Sequence, residues 1–148
     1  MSPLGQGDAG ASPDDLEARS RRILSEQAFS QMLGVELLSI APGQSELRMP
    51  ITDDHKQHMG FAHGGAVASL ADMALAFAGG PMMGGGAVTQ EFKINFLRPG
   101  IGEALIARGQ VIGSGRSQAV VRADVVVVAE GVEKLCATAQ GTIMKPGA

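Results

Sequence analysis

The chain has 148 residues, a length that suits one domain with a sizeable core. Hydrophobic residues make up 45% and charged ones 18%, which places it among globular rather than disordered chains. A net charge of −3 and an aromatic content of 3%, with no Trp or Tyr, provide neither the basic face nor the stacking platforms used on nucleic acids.

The N-terminal "MSPLGQGDAGASPDD" has no basic stretch followed by an apolar one, as a secretory signal would require. No uninterrupted apolar run reaches the length of a membrane span. The expectation is therefore a soluble, cytoplasmic protein without a membrane partner. Residues 1–13, rich in Gly, Pro, Ser and Ala, read as a flexible tail ahead of a single domain over 14–148.

Ser12 before Pro13, early acids, and Leu16, Ile23, Leu24 and Phe29 at helical spacing predict a helix that ends at Gly34. "VELLSIAPGQSELRMPI" predicts a hairpin turning at its Pro-Gly. After the polar "TDDHKQHMGFA", a second helix is expected from Gly64 to about Ala78. Val67, Leu70, Ala71, Ala74, Leu75 and Ala78 form its buried face, and Gly79, Gly80 and Pro81 stop it. Strands follow. "AVTQEFKINFLRP" alternates with Phe92, Ile94 and Phe96 on one face. "EALIARGQVI" and "SQAVVRADVVVVA" come next, and "VEKLCATAQGTIM" sets Leu135, Ala137, Ala139 and Ile143 on one side. Four strands joined by short glycine-containing turns imply antiparallel neighbours. A long apolar helix between an early hairpin and that meander gives an α+β layer architecture.

The chemistry concentrates in "HMGFAHGGAVASLAD", residues 58–72. Asp72 is the one charged residue between Lys56 and Glu91, set in an apolar helix. Burying a carboxylate without a partner is costly, so it either forms a structural pair or works as a general base or nucleophile. The glycine-rich helix start about two turns upstream favours the second. There, first-turn amides and the positive end of the helix dipole can stabilise an oxygen that gains negative charge.

The other candidates are weaker. His55, His58 and His63 cluster, but no carboxylate completes a ligand pattern, so no metal site is expected. The single cysteine, Cys136, excludes an internal disulfide and reads as a packed thiol. Ser69 in "VASLA" is not a Gly-x-Ser-x-Gly elbow, and "GGG" at 84–86 lacks the Lys of a phosphate-binding loop. Arg98, Arg108, Arg116 and Arg122 are scattered, with Arg116 in a Gly/Ser turn suited to a phosphate.

From Phe29 to Lys145 the chain resembles the hotdog-fold thioesterases of the PaaI-like (phenylacetyl-coenzyme A thioesterase) group. The resemblance rests on "QHMGFAHGGAVASLAD", with Asp72 nine residues after His63, and on "VTQEFKINFLRPG". It implies a hotdog fold: a long central helix wrapped by an antiparallel sheet of about five to six strands, with an N-terminal helix here in addition. It implies a homodimer with the active site at its interface, often paired into a homotetramer, and acyl-coenzyme A as substrate with no separate cofactor. By position, Asp72 matches the catalytic carboxylate and Gly64 the backbone oxyanion donor. His63 matches the histidine beside it, and Thr89 the hydroxyl that positions water. Gln57 stands where many members carry Asn, which makes its reach longer by one methylene.

The function expected is hydrolysis of aryl or medium-chain acyl-coenzyme A thioesters. Gly65, Met82 and Met83 would line the substrate site, and Arg116 and Arg98 would meet the coenzyme A phosphates. The rivals are a hotdog dehydratase or hydratase acting on acyl thioesters and a non-catalytic acyl-coenzyme A-binding module.

Overall fold

The computed structural model describes residues 12–147; of the expected tail, residues 1–11 lie outside the described residues. The first helix, α1 (Pro13–Glu26), begins one residue inside that tail. Ser12 accepts from the Asp15 N–H, and the Asp15 carboxylate accepts from the Ser12 backbone and hydroxyl, a reciprocal cap that fixes the start. The single helix expected up to Gly34 is instead two. The chain is extended at Gln27 (φ −84°, ψ 99°), then resumes as α2 (Ala28–Met32). The break is stable because the Leu24 carbonyl is met twice, by the Gln27 N–H and by the Gln31 side chain.

Strands β1 (Glu36–Ala41) and β2 (Gln44–Pro50) form the hairpin expected around Pro42-Gly43. The central helix α3 (Gly64–Gly79) follows, then β3 (Val88–Phe96), β4 (Ala104–Ser114), β5 (Gln118–Ala129) and β6 (Val132–Met144). The six strands form one antiparallel sheet in the order β1-β2-β4-β5-β6-β3. The expected four-strand meander is therefore only β4-β5-β6. Both edges of β4 are filled, by β2 and β5, so β3 pairs with β6 and becomes a free edge.

The helix lies across one face of this sheet. All six residues expected on its buried side are buried; Leu70, Ala71, Ala74, Leu75 and Ala78 are fully so. Full burial of a leucine contributes about 1.5–3 kcal/mol, so Leu70 and Leu75 anchor the two layers. The sheet approaches closely at Gly109, where any Cβ would stand 2.3 Å from the Ala74 carbonyl oxygen. That carbonyl accepts the Ser45 hydroxyl at 2.7 Å. This is the hotdog arrangement that the resemblance implies.

The α-helix ends at Gly79, within the expected Gly79-Gly80-Pro81 stop. The chain does not unwind there: the coil tightens into a 3-10 turn over Gly80–Met83 and ends at Gly84, whose φ of 79° is left-handed. Proline is tolerated in the first turn of that new segment. The resulting 20-residue helical stretch, Gly64–Met83, is by length and composition apolar enough to cross a membrane, although no uninterrupted apolar run suggested it. Its place under the sheet accounts for that apolarity.

Two β-bulges change which side chains face the helix. On β6 the register shifts between Val125↔Ala137 and Val126↔Leu135, leaving Cys136 as the extra residue. Ala137, Ala139 and Ile143 consequently face the core, whereas Leu135 does not and is 39% exposed, against the expectation of one common side. On β3 the shift lies between Thr89 and Glu91. It brings Thr89, opposite the buried Ile143, onto the same face as Phe92 and Ile94.

Candidate active site

Helix α3 has one stripe that the sheet does not cover, and Ser69, Asp72, Met73 and Ala76 lie along it at three- and four-residue spacing. The break between α1 and α2 arches over this stripe. Between them opens a cleft of about 350 Å³ lined by Phe29, Ser30, Ser69, Asp72, Met73 and Phe77, among others. The carboxylate in an apolar helix thus faces a cavity rather than the core.

Its partner comes from the edge strand. The Thr89 hydroxyl donates to Asp72 Oδ1 at 2.7 Å, a bond made possible by the bulge at Gln90. Oδ1 is thereby held, while Oδ2 has no hydrogen-bond partner among the described residues and can accept a proton or attack a carbonyl. Ser69, one turn before Asp72, donates instead to the Gly65 carbonyl at 2.7 Å, which ties its hydroxyl to the helix backbone.

A second cluster sits at the start of α3. His63 is the N-cap residue, with extended backbone (φ −62°, ψ 139°), and its Nδ1 accepts the Gly65 N–H at 2.8 Å. In neutral His63 the proton is therefore on Nε2. The Ala66 and Val67 amides both point to the His63 carbonyl. The Gly64 N–H alone makes no hydrogen bond among the described residues. The His63 side chain and carbonyl together thus leave a single open donor in the first turn, at the positive end of the helix. The Phe96 ring lies beside Gly64, where a Cβ would be 3.5 Å from it.

The loop leading to this cluster is fixed by its backbone. His63 N–H bonds to the carbonyl of buried His55 at 2.8 Å, Lys56 and Ala62 form an isolated bridge, and Ala62 N–H meets the Gly100 carbonyl. Gln57 is partly buried at the turn; its side-chain oxygen accepts the Met59 N–H, which leaves the amide NH₂ as its outward donor. Among the described residues no group of three or more His, Cys, Asp or Glu side chains is arranged to hold a metal.

The sequence-derived residues therefore fall into two groups. Asp72 and Thr89 are together; Gly64, His63 and Gly65 are together, with Gln57 in the loop that leads to them. Eight residues of helix separate the groups, about 12 Å along the axis. One thioester carbonyl cannot touch both within a single chain.

The remaining candidates lie elsewhere. Met83 is buried in the core, and Met82 packs over Gly43 and Val111; neither lines the cleft at Asp72. Arg98 and Arg116 are exposed, Arg98 just past the Phe96 end of β3 and Arg116 in the β4–β5 turn beside its Val88 end. Strand rise over Val88–Phe96 sets those ends ~26 Å apart. The scattered Arg108 and Arg122 are engaged on the sheet, Arg108 with Glu46 and Glu133, Arg122 with Asp124.

Sequence reasoning missed the place of Phe96 beside Gly64 and the cleft wall supplied by Phe29. It had also discarded Ser69, whose three-residue spacing to Asp72 was the available signal for a shared face.

Comparison with known proteins identifies the family. Residues 59–134 match the thioesterase superfamily model. The acyl-coenzyme A thioesterase PaaI of Escherichia coli K12 is 34% identical over 100 residues, covering 67% of this chain and 71% of that one. The solved E. coli PaaI structure, a protein of the phenylacetic acid degradation operon, superposes with a TM-score of 0.82 at 26% identity, over 93% of this chain and 98% of that one. A thioesterase family protein from Silicibacter pomeroyi gives a TM-score of 0.80 at 30% identity, over 87% and 96%. A carboxylate lining a cleft, a helix-start amide open among the described residues and these likenesses agree: the chain belongs to the thioesterase superfamily, as a PaaI-like hotdog thioester hydrolase.

Proposed function

We propose that the protein hydrolyses acyl-coenzyme A thioesters in a site shared between two copies of the chain. The observation that carries this is the separation of Asp72–Thr89 from the Gly64 amide along one helix. Two antiparallel copies joined through the free edge of β3 would bring the Asp72 end of one helix towards the Gly64 end of the other. The homodimer is the functional unit in this reading, and pairing of dimers into a tetramer is its extension.

Asp72 Oδ2 takes a proton from water as the water oxygen attacks the thioester carbonyl carbon. The carbonyl oxygen becomes an oxyanion held by the Gly64 N–H and oriented by the Gln57 amide. Collapse breaks the C–S bond, and the proton on Asp72 passes to the leaving sulfur, giving free acid and coenzyme A. Direct attack by Asp72 is the alternative, through a mixed anhydride that water then opens. The likeness to an acyl-coenzyme A thioesterase supports coenzyme A as the thiol. Arg98 and Arg116, at opposite ends of β3, are candidates for its phosphates, from different chains or as alternatives. No separate cofactor takes part.

The test is release of coenzyme A thiol from a panel of acyl and aryl thioesters. Wild type should cleave some of them, and Asp72→Asn should be slower by about 100-fold or more. A variant as fast as wild type on the best substrate overturns the assignment of Asp72. Binding of several thioesters with cleavage of none favours a binding module.

A further inference from the structure

A second hollow, of about 230 Å³, lies beneath α1, walled by Leu16 and Ile23 on one side and by Pro81 and Ala87 on the other. It shares Gln27, Ala76 and Phe77 with the cleft at Asp72, so the two adjoin along the uncovered stripe of α3. The helix break at Gln27 roofs the junction, and Ala76 forms its floor with the smallest side chain that still supports a helix. The far end closes against the glycine loop, where the Arg19 guanidinium lies on Gly85, with Asp15 close by.

We propose that this groove is the acyl subsite, holding a linear medium-chain acyl group that runs from Asp72 past Ala76 and Phe77 to the Gly84–Ala87 loop. The proposal rests on the thioesterase reading of Asp72. Its length follows from the helix beneath it. Asp72 to Gly80 spans about 12 Å. An extended chain advances ~1.2 Å per bond, by analogy with the reach of an extended backbone, so about ten bonds fit. An arylacetyl group would end near Ala76 and leave the inner hollow empty. A longer tail would meet the polar end at Asp15 and Arg19, where desolvation opposes it. The helix break thus sets chain-length preference through α1, an element that touches none of the reacting atoms.

The test compares kcat/KM for decanoyl- and butyryl-coenzyme A in wild type, Ala76→Leu and Ile23→Phe, which narrow the groove from its two walls. The decanoyl-to-butyryl ratio should fall at least tenfold in both variants; if one of them does not fold by circular dichroism, the other carries the result. A ratio within threefold of wild type overturns the proposal, including the case in which all rates fall together. Should wild type cleave no thioester, the hydrolase reading fails by itself, and calorimetry with S-decyl- and S-butyl-coenzyme A tests the groove alone. Tighter decyl binding that Ala76→Leu abolishes supports it, and equal affinity for the two overturns it.

Discussion

Thr89, on the edge strand, donates its hydroxyl proton to one oxygen of Asp72, on the central helix, at 2.7 Å. The bond crosses between layers and holds one carboxylate oxygen, while Oδ2 has no partner among the described residues. Hydrogen bonds to charged groups contribute ~1.5–3 kcal/mol, so Thr89→Val, which keeps the shape and deletes the donor, should lower kcat by about ten- to a hundredfold. Thr89→Ser should recover most of that loss. A valine variant with wild-type kcat would show that Asp72 needs no such support.

The open Gly64 amide permits a sharper test of the shared site. Proline suits the first helical position, and His63 before it is already in the extended conformation that proline requires. Gly64→Pro should therefore fold and yet lose ~10²–10³ in kcat, the usual effect of removing one oxyanion donor. When Gly64→Pro and Asp72→Asn chains are unfolded and refolded together in equal amounts, half the dimers should be mixed. Each mixed dimer then regains one intact site of two, so activity should return to about a quarter of wild type. No recovery on mixing would place donor and carboxylate of each site in the same chain, against their separation along α3.

His63 acts, in this geometry, through the cap it forms on the Gly65 N–H. Asn is among the best helix N-caps and Ala among the poor ones. His63→Asn should hold stability, whereas His63→Ala should cost about 1 kcal/mol and lower Tm by ~3 °C. Activity should follow the cap, with Asn above Ala. Equal loss of activity in both, with the Asn variant as stable as wild type, would give the imidazole a direct role in the reaction.

How legible this was in the sequence differs from element to element. The buried face of α3 could be read because helical periodicity leaves one geometric solution, and Val67, Leu70, Ala71, Ala74, Leu75 and Ala78 are buried as expected. The same run revealed Asp72, since a lone charge there stands out. Strand neighbours could not be read the same way. Short turns suggest pairing, but β3 was displaced to β6 by a hairpin strand from far earlier in the chain. The bulges at Gln90 and Cys136 were also hidden, because each adds one residue without changing composition, and each inverts the alternation beyond it. Phe92, Ile94 and Phe96 kept a common face because they lie on one side of their bulge; Leu135 and Ala137 straddle theirs. The matching of Thr89 to the catalytic hydroxyl came from family resemblance, whereas its geometric cause is the bulge.

Cys136 offers a prediction with a definite sign. The thiol is 1% exposed, and its proton points to the Arg98 carbonyl oxygen at 3.4 Å. Burial pushes its pKa up from the ordinary thiol range, with the Arg98 charge opposing in smaller measure. At pH 8 the raised pKa means less thiolate than a free cysteine carries, and the nucleophile is that thiolate. Iodoacetamide should therefore label the native protein much more slowly than the denatured chain at the same pH, and the native rate should keep climbing at pH values where a free thiol has levelled off. Cys136→Ala should retain thioester cleavage, because the sulfur lies in the β6 bulge and faces neither Asp72 nor the Gly64 amide. Rapid labelling of the native protein at pH 8, accompanied by loss of activity, would make Cys136 a reactive group and contradict both the packed-thiol assignment and the carboxylate mechanism.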